Sequence, residues 1–400
     1  MLTLEKAQAS IAADVIRAVK TETVPLAQAF ARYLAEAVCA RVDNPAFDNS
    51  AMDGYAVNTG QLVDAGFLLP LEGESSAGDV PGKLTPGTTM RIFTGAPVPD
   101  GADAVVIQED IKSEKDVIVF PHTVQPGQNI RTRGQDFQSG GELFQRGRRL
   151  NANDIALLSA AGVAEVTLFC RPKALVFATG DELVSPGTPL QPGQIYESNR
   201  LATLLQLANL GADVVDGGTV RDDADAVRRV VKSASEYDFV ISSGGVSVGE
   251  YDLVKQVFAE IGDINFWKVR VKPGKPVAFG RVGERTNFFG LPGNPVSSLV
   301  TFRLFVHPAL AAWHYTSHEP LMIQVRSTRS FRRHAGRTEF LRARLYLEDD
   351  ALVVTPLKGQ GSHMIGTLKD SNALIRVEHD SEGFESGDTV SVLPLNTDIT

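Results

Sequence analysis

The sequence predicts a multidomain α/β protein. Its centre is a doubly wound, mainly parallel sheet domain, joined to a β insertion domain, a helical and extended N-terminal part and a C-terminal β-barrel. Three observations carry this. Between 172 and about 313, apolar strands alternate with amphipathic helices, as in a parallel sheet with crossover helices. The stretches 41–139 and 319–400 read instead as short apolar runs broken by Gly, Pro, Asn and Asp. The chain of 400 residues also exceeds one small core, at roughly 100–200 residues per domain.

Taken in order, residues 1–40 read as two helices. Leu4, Gln8, Ile11, Val15 and Val19 share a face of the first, and Leu26, Phe30 and Leu34 a face of the second. Glu5 and Asp14 interrupt the apolar rhythm, so the first segment is an amphipathic helix and no signal peptide. After the β-rich stretch, LNANDIALLSAAG reads as a helix. Asn153 or Asp154 caps it, Ile155, Leu158 and Ala161 form its apolar face, and Gly162 ends it. KALVFATG is a strand. SNRLATLLQLANLG is a helix with Leu201, Leu204, Leu205 and Ala208 on one face and Gly211 at its end. RDDADAVRRVVKSASEYDFVISSGG is a helix capped by Asp222 or Asp223, running into a strand. Beyond 319, LMIQVRS, TEFLRARLYLEDDALVVTP and DTVSVLP predict a small barrel or sandwich.

Composition narrows the function classes. A hydrophobic share of 43% with 22% charged residues is ordinary globular composition. Net charge −9 argues against a general nucleic-acid binder. Cys39 and Cys170 are remote and form no CxxC, which suits a reducing cytosol. The most apolar run, 299–313, contains Arg303, His307 and Pro308 and is shorter than the roughly 20 residues of a membrane span. A cytoplasmic protein without membrane or nucleic-acid partners is expected.

Three glycine-rich turns, each fed by an apolar strand, concentrate the candidate chemistry: DFVISSGGVSVGEYD at 238–252, KVRVKPGKPVAFG at 268–280 and FFGLPGNPVSS at 288–298. Such loops at strand ends present backbone N–H groups to oxyanions. The first offers Gly244, Gly245 and Ser247, followed by Glu250, Asp252 and Glu260. The last offers Pro292, Gly293, Asn294 and Pro295, with Asn294 as N-cap and Pro295 at the first helical position. In the middle turn, strand alternation puts Lys268, Arg270 and Lys272 on one face, and Pro273–Gly274 returns Lys275 alongside, an oxyanion trap. GxxxxGK[ST] is absent, so this is no P-loop NTPase, and the lack of GxGxxG with a ribose-binding acid argues against a nicotinamide dehydrogenase.

Acids complete the set. TGDE at 179–182 ends a strand and RDD at 221–223 opens a helix, so Glu182, Asp222 and Asp252 are candidate hard-oxygen ligands for Mg²⁺ alongside substrate phosphate. In the N-terminal half, DNSAMDGYAV places Asp48 and Asp53 in a small-residue turn, RIFTGAPVPDGADAVV follows, and QNIRTRGQDF adds Arg131, Arg133 and Asp136. Arg337, in GRTEFLRAR, is the barrel-region arginine singled out. The histidines show no metal-site spacing, and His314 with His318 is read as structural.

SAMDGYA, RIFTGAPVPDGADAVV, ATGDELV, YESNR, ISSGGVSVGEYD, KPGKP and LPGNPVSSL, in this order, closely resemble the MoeA family of molybdopterin molybdenumtransferases, the bacterial counterpart of the gephyrin E-domain. The resemblance covers essentially the whole chain. It implies four domains: 1–40 plus 140–171, a β insertion at 41–139, a MogA/MoaB-like molybdopterin-binding α/β domain at 172–318 and a barrel at 319–400. It also implies a homodimer with its active site between subunits, and a reaction that inserts molybdenum from molybdate into adenylylated molybdopterin with Mg²⁺ and releases AMP. By resemblance, Lys268, Lys272, Lys275 and Arg337 anchor molybdate and phosphate, while Asp222, Asp252 and Glu182 surround metal and nucleotide. Gly244, Gly245 and Ser247 cradle the pterin phosphate, and Asp53 and Thr94 come from the partner subunit. Partners implied are an adenylyltransferase and molybdoenzyme acceptors. Eukaryotic relatives carry a serine where GSHMIG has Ile365. Two other readings are a MogA-like adenylyltransferase, which lacks the extra regions before and after the α/β module, and a non-catalytic dimeric scaffold, which would not need the acids and lysines.

Overall fold

The computed structural model describes residues 1–80, 82–114, 116–245, 257, 262–317 and 320–395. The candidates Ser247, Glu250, Asp252, Glu260 and His318 lie outside them. The chain divides into two compact units, one of Met1–Glu22, Ala31–Ala35 and Leu168–Thr400, the other of Thr23–Phe30 and Glu36–Thr167.

The first unit is built on a six-stranded sheet in the order Asp213–Val220, Lys173–Thr179, Phe239–Ser243, Thr286–Leu291, Pro276–Val282, Gly262–Lys268. The first four strands are parallel, and the last two are joined by antiparallel pairings, so Pro276–Val282 alone runs against the rest. Phe239–Ser243 and Thr286–Leu291 are buried along their whole length, as expected for parallel strands packed on both faces. Alternate side chains feed two cores: Val176, Ile241 and Phe289 enter one, and Phe177, Val240 and Phe288 the other. The four parallel strands end at Thr179, Val220, Ser243 and Leu291, on one sheet edge where ligands of such folds gather.

The barrel in the same unit closes because Thr338–Glu348 pairs with both Ala351–Pro356 and Ala373–Val377, while Ile323–Ser327 and Thr389–Pro394 complete the ring. Val325, Leu341, Val354, Ile375 and Val392 fill its interior. A short segment, Val271–Lys272, leaves the α/β hairpin and pairs in parallel with the barrel strand at Thr338 and Glu339. Multidomain α/β architecture with a closed C-terminal barrel is therefore the fold.

Several local expectations need correction. The first helix spans only Leu4–Asp14, with Thr3 as N-cap, and buries Leu4, Ala7 and Ile11; Val19 lies beyond it, exposed. The second helix is absent. Thr21–Pro25, rich in β-branched residues, is a strand, and a single turn, Leu26–Gln28, stops before Ala31, whose φ of 62° is left-handed. Helix Asn199–Asn209 buries Thr203, Leu204 and Leu207 and turns Leu201 and Leu205 to the surface. The leucines spread over a wider arc than the buried face, so periodicity alone does not choose which of them are buried. The apolar run near 300 extends to a helix over Pro295–Trp313, long and apolar enough to cross a membrane but 78% buried in that window, so it is a core helix.

In the second unit a six-stranded sheet runs Ala104–Ile107, Gly54–Val57, Thr89–Ile92, Leu68–Ser75, Val117–Val119, Lys112–Glu114. Tyr55, Val57, Leu69, Val106 and Ile118 pack beneath it. Helix Ala152–Ala160 starts earlier than expected: Asn151 is the N-cap, and Asp154 closes a capping box from the third helical position.

Candidate active site

The carboxyl edge of the parallel strands opens into a cleft of about 1420 Å³ that also takes in the PGKP turn and the barrel. Local geometry explains why glycine recurs in its wall. Gly244 has φ +89°, and a Cβ there would lie 2.8 Å from the Thr179 carbonyl oxygen; at Gly274, φ +107°, it would lie 2.4 Å from Thr301 Cγ2. Only glycine lets these loops pass so close to their neighbours.

Lys272 and Lys275 both line the cleft, and Arg337 reaches it from the barrel. Lys268 does not belong with them. Its strand ends at Lys268, opposite Pro276. Burial still alternates through Val269, Arg270 and Val271, but Val271–Lys272 pairs with the barrel strand instead of the sheet, so Lys268 and Lys272 sit on separate strands and only Lys272 lines the cleft. Lys272 is held by Glu339, with Nζ 2.8 Å from Oε1.

Glu182 and Asp222 line the cleft as well. The two neighbouring aspartates at the helix start divide the work. Asp223 accepts from Ala226 N at 3.0 Å and caps the helix, while Asp222 is left to the cleft. Partial burial, then the Asp181 and Glu182 carboxylates, push Asp222 above its ordinary value. Among the described residues no group of three or more His, Cys, Asp and Glu side chains forms a ready-made metal set. Two carboxylates facing one cleft nevertheless fit Mg²⁺, which takes one or two protein carboxylates and leaves its remaining positions to water and substrate phosphate.

The Pro292–Gly293–Asn294–Pro295 turn stands as expected at a helix start, with Asn294 in the N-cap position. Asn294 makes no side-chain cap, so its amide remains available to the cleft it lines. The Thr179 hydroxyl, buried in the same wall, has no hydrogen-bond partner among the described residues, which marks a place for a polar ligand. Gly245 lines the cleft beside Gly244.

Some of the wall was missed in the sequence. Asn199 donates from Nδ2 to the Gly293 carbonyl at 2.7 Å, tying YESNR to the LPGNP turn. Glu197, also in YESNR, is buried in the wall and accepts from Arg200 N at 2.6 Å. Gln360, Ser362, His363 and Ile365 bring the barrel into the cleft, and the Ser362 carbonyl accepts from Val296 N at 3.1 Å. YESNR between two recognised turns is the signal for the first two, and GSHMIG, with Ile365 where eukaryotic relatives carry a serine, is the signal for the barrel loop.

The remaining candidates belong to the second unit. Asp53 Oδ1 accepts from the Thr94 amide and hydroxyl. Asp48 Oδ1 accepts from Arg133 N at 2.7 Å, Asp136 Oδ2 accepts from Asn44 Nδ2 at 2.9 Å, and Arg131 is exposed.

Three family models match this chain in succession: the MoeA N-terminal region (domain I and II) over residues 2–162, a probable molybdopterin binding domain over 175–312 and the MoeA C-terminal region (domain IV) over 324–395. The chain belongs to the MoeA family. A molybdopterin molybdenumtransferase of Haemophilus influenzae is 38% identical over 402 residues, 99% of each chain. Its namesake in Nostoc sp. is 38% identical over 94% of this chain and 89% of its own. The solved structure of a molybdopterin biosynthesis MoeA protein from Pyrococcus horikosii superposes with a TM-score of 0.81 at 31% identity, covering 100% of both chains. MoeA membership accounts for the order of the glycine-rich turns and for the barrel that closes the cleft.

Proposed function

We propose that this chain, a transferase of molybdenum cofactor biosynthesis, takes adenylylated molybdopterin and molybdate, inserts molybdenum between the dithiolene sulfurs and releases AMP. The single observation that carries this reading is the meeting of opposite charges in one cleft. Lys272, Lys275 and Arg337 lie in the same wall system as Glu182 and Asp222. A dianion must approach anionic thiolates, so cations have to hold it; a departing phosphate facing carboxylates needs a counter-ion.

In this reading Lys272 and Lys275 hold the oxyanion and Arg337 assists from the barrel. Gly244 and Gly245, with Ser247, cradle the pterin phosphate through backbone N–H groups. The 292–295 turn and the Thr179 hydroxyl, without a partner among the described residues, orient the ligand. Glu182 and Asp222, with Asp252, would hold Mg²⁺. When bound, the ion supplies charge neutralisation for the leaving phosphate. Asp222 is raised above its ordinary value, so its charge is costly in the cleft, and a divalent ion would relieve that cost. The active form is a homodimer in which Asp53 and Thr94 of one subunit complete the cleft of the other, with Arg131 and Asp136 as further substrate contacts. The enzyme works in the cytoplasm, fed by an adenylyltransferase and serving molybdoenzyme acceptors.

The test is conversion of purified adenylylated molybdopterin to molybdenum cofactor, assayed by activation of an apo-molybdoenzyme. Conversion should require both molybdate and a divalent ion. Conversion that ignores either one contradicts the corresponding part of the reading.

A further inference from the structure

Glu339 is 2% exposed, yet its carboxylate meets two cations. Lys272 Nζ lies 2.8 Å from Oε1, and Arg333 Nη1 lies 3.5 Å from Oε2. Lys272 and Glu339 are also register partners where the α/β segment joins the barrel. Arg333, its side chain 5% exposed, is itself fixed by backbone carbonyls. It donates to Ser381 O at 3.0 Å and to the carbonyls of Glu378 and Arg337. Lys272 and Arg337 both line the cleft. One buried pair therefore grips the side chain of one cleft cation and the backbone of another.

We infer that Glu339 and Arg333 are positioning residues, which aim the Lys272 ammonium and hold Arg337 in place before the oxyanion arrives. This rests on the reading of the cleft given above. A free lysine side chain loses rotamer freedom when it binds. Lys272 commits one of its three ammonium protons to Glu339 and keeps two to donate, so that freedom is lost on folding instead of on binding. Arg333 keeps its carbonyl partners whether or not Glu339 is charged, so the carboxylate can be altered without releasing the arginine.

Two effects of removing the Glu339 charge oppose each other. Losing an anion beside the cleft would strengthen the pull on molybdate, whereas losing the anchor would let Lys272 wander. A weaker use of molybdate in Glu339→Gln thus isolates the geometric role. The experiment compares the molybdate and adenylylated-pterin concentrations for half-maximal conversion in Glu339→Gln, Glu339→Asp, Lys272→Met and the Glu339→Gln/Lys272→Met pair. Glu339→Gln should raise the molybdate requirement about tenfold, the order commanded by one charge-assisted hydrogen bond, with the pterin requirement unchanged. The double variant should be no worse than Lys272→Met alone. Should Glu339→Gln fail to fold, Glu339→Asp, which keeps the charge but withdraws it by one methylene, must still raise the molybdate requirement selectively. An unchanged or lower molybdate requirement, an equal loss for both substrates, or additive effects with Lys272→Met would each overturn the inference. Lys272→Met leaving molybdate use intact would instead overturn the reading of the cleft.

Discussion

Asp53 Oδ1 accepts two hydrogen bonds from Thr94, from its amide at 2.7 Å and its hydroxyl at 2.8 Å. The backbone bond, then the hydroxyl bond, hold this carboxyl below its ordinary value, with Arg91 adding a smaller pull. The turn thus presents a carboxylate that is ionised and fixed in direction, on a half-buried residue.

Asp53→Ala should abolish molybdenum insertion while the protein keeps its fold. Asp53 is a half-buried turn residue, so removing its carboxylate touches chemistry more than core packing. Full activity in the folded variant removes Asp53 from the site. In Thr94→Val the Asp53 carboxyl should titrate closer to an ordinary aspartate, measured by carbon NMR of the side chain; an unmoved titration would show that the hydroxyl bond is idle.

Lys275→Ala should weaken molybdate use far more than pterin binding. Removing one charge-assisted hydrogen bond to an anion costs about 1.5–3 kcal/mol, or roughly ten- to a hundredfold in the molybdate concentration required. The measurement is the molybdate dependence of insertion at fixed adenylylated pterin. An unchanged requirement takes Lys275 out of the oxyanion trap.

Much of the architecture is legible in the sequence, because parallel strands such as FVISS and the glycine turns after them leave strong local marks. The division between Asp222 and Asp223 is not, since either can cap a helix and only the cleft decides which is spare. Lys268 misleads for a related reason. Burial still alternates from Lys268 to Lys272, but the sheet strand ends at Lys268 and Val271–Lys272 pairs with the barrel, a change of partner that only the assembled fold decides. Glu339 is invisible as a site residue because its role exists only where the barrel strand meets Lys272. The buried face of Asn199–Asn209 is hidden by a surplus of leucines.

Asp154 offers a stability test. Burial would raise its carboxyl, but the Arg148 side chain and the Asn151 amide outweigh that and hold it below the ordinary value; Arg148 Nη2 lies 2.8 Å from Oδ1 and Asn151 N 3.0 Å from Oδ2. With the folded value depressed, the stabilisation is present above the unfolded aspartate value and is lost as pH falls through the folded one. Asp154→Ala should therefore cost about 1–2 kcal/mol near neutrality and much less in acid. Equal losses at both pH values in denaturant titrations would assign the effect to packing.

Asp222 has the opposite sign. Its folded value is raised, so ionisation costs stability, and the cost grows as pH rises from the ordinary aspartate value through the folded one. With divalent ions chelated, Asp222→Asn should melt higher than the parent at neutral pH and level with it in acid. A variant that melts lower at neutral pH would show that the Asp222 carboxylate is satisfied without a metal.

The most direct measurement supplies the purified protein with adenylylated molybdopterin, molybdate and Mg²⁺ and follows AMP and bound molybdenum together. On the proposed reading Lys272, Lys275 and Arg337 would hold an oxyanion that adenylation does not need, so AMP should appear in step with molybdenum capture, one for one, and should stop when the divalent ion is chelated. Molybdopterin with ATP alone should yield little adenylate. Robust adenylate formation from ATP, with AMP release indifferent to molybdate, would contradict the assignment and place the chain among the adenylyltransferases.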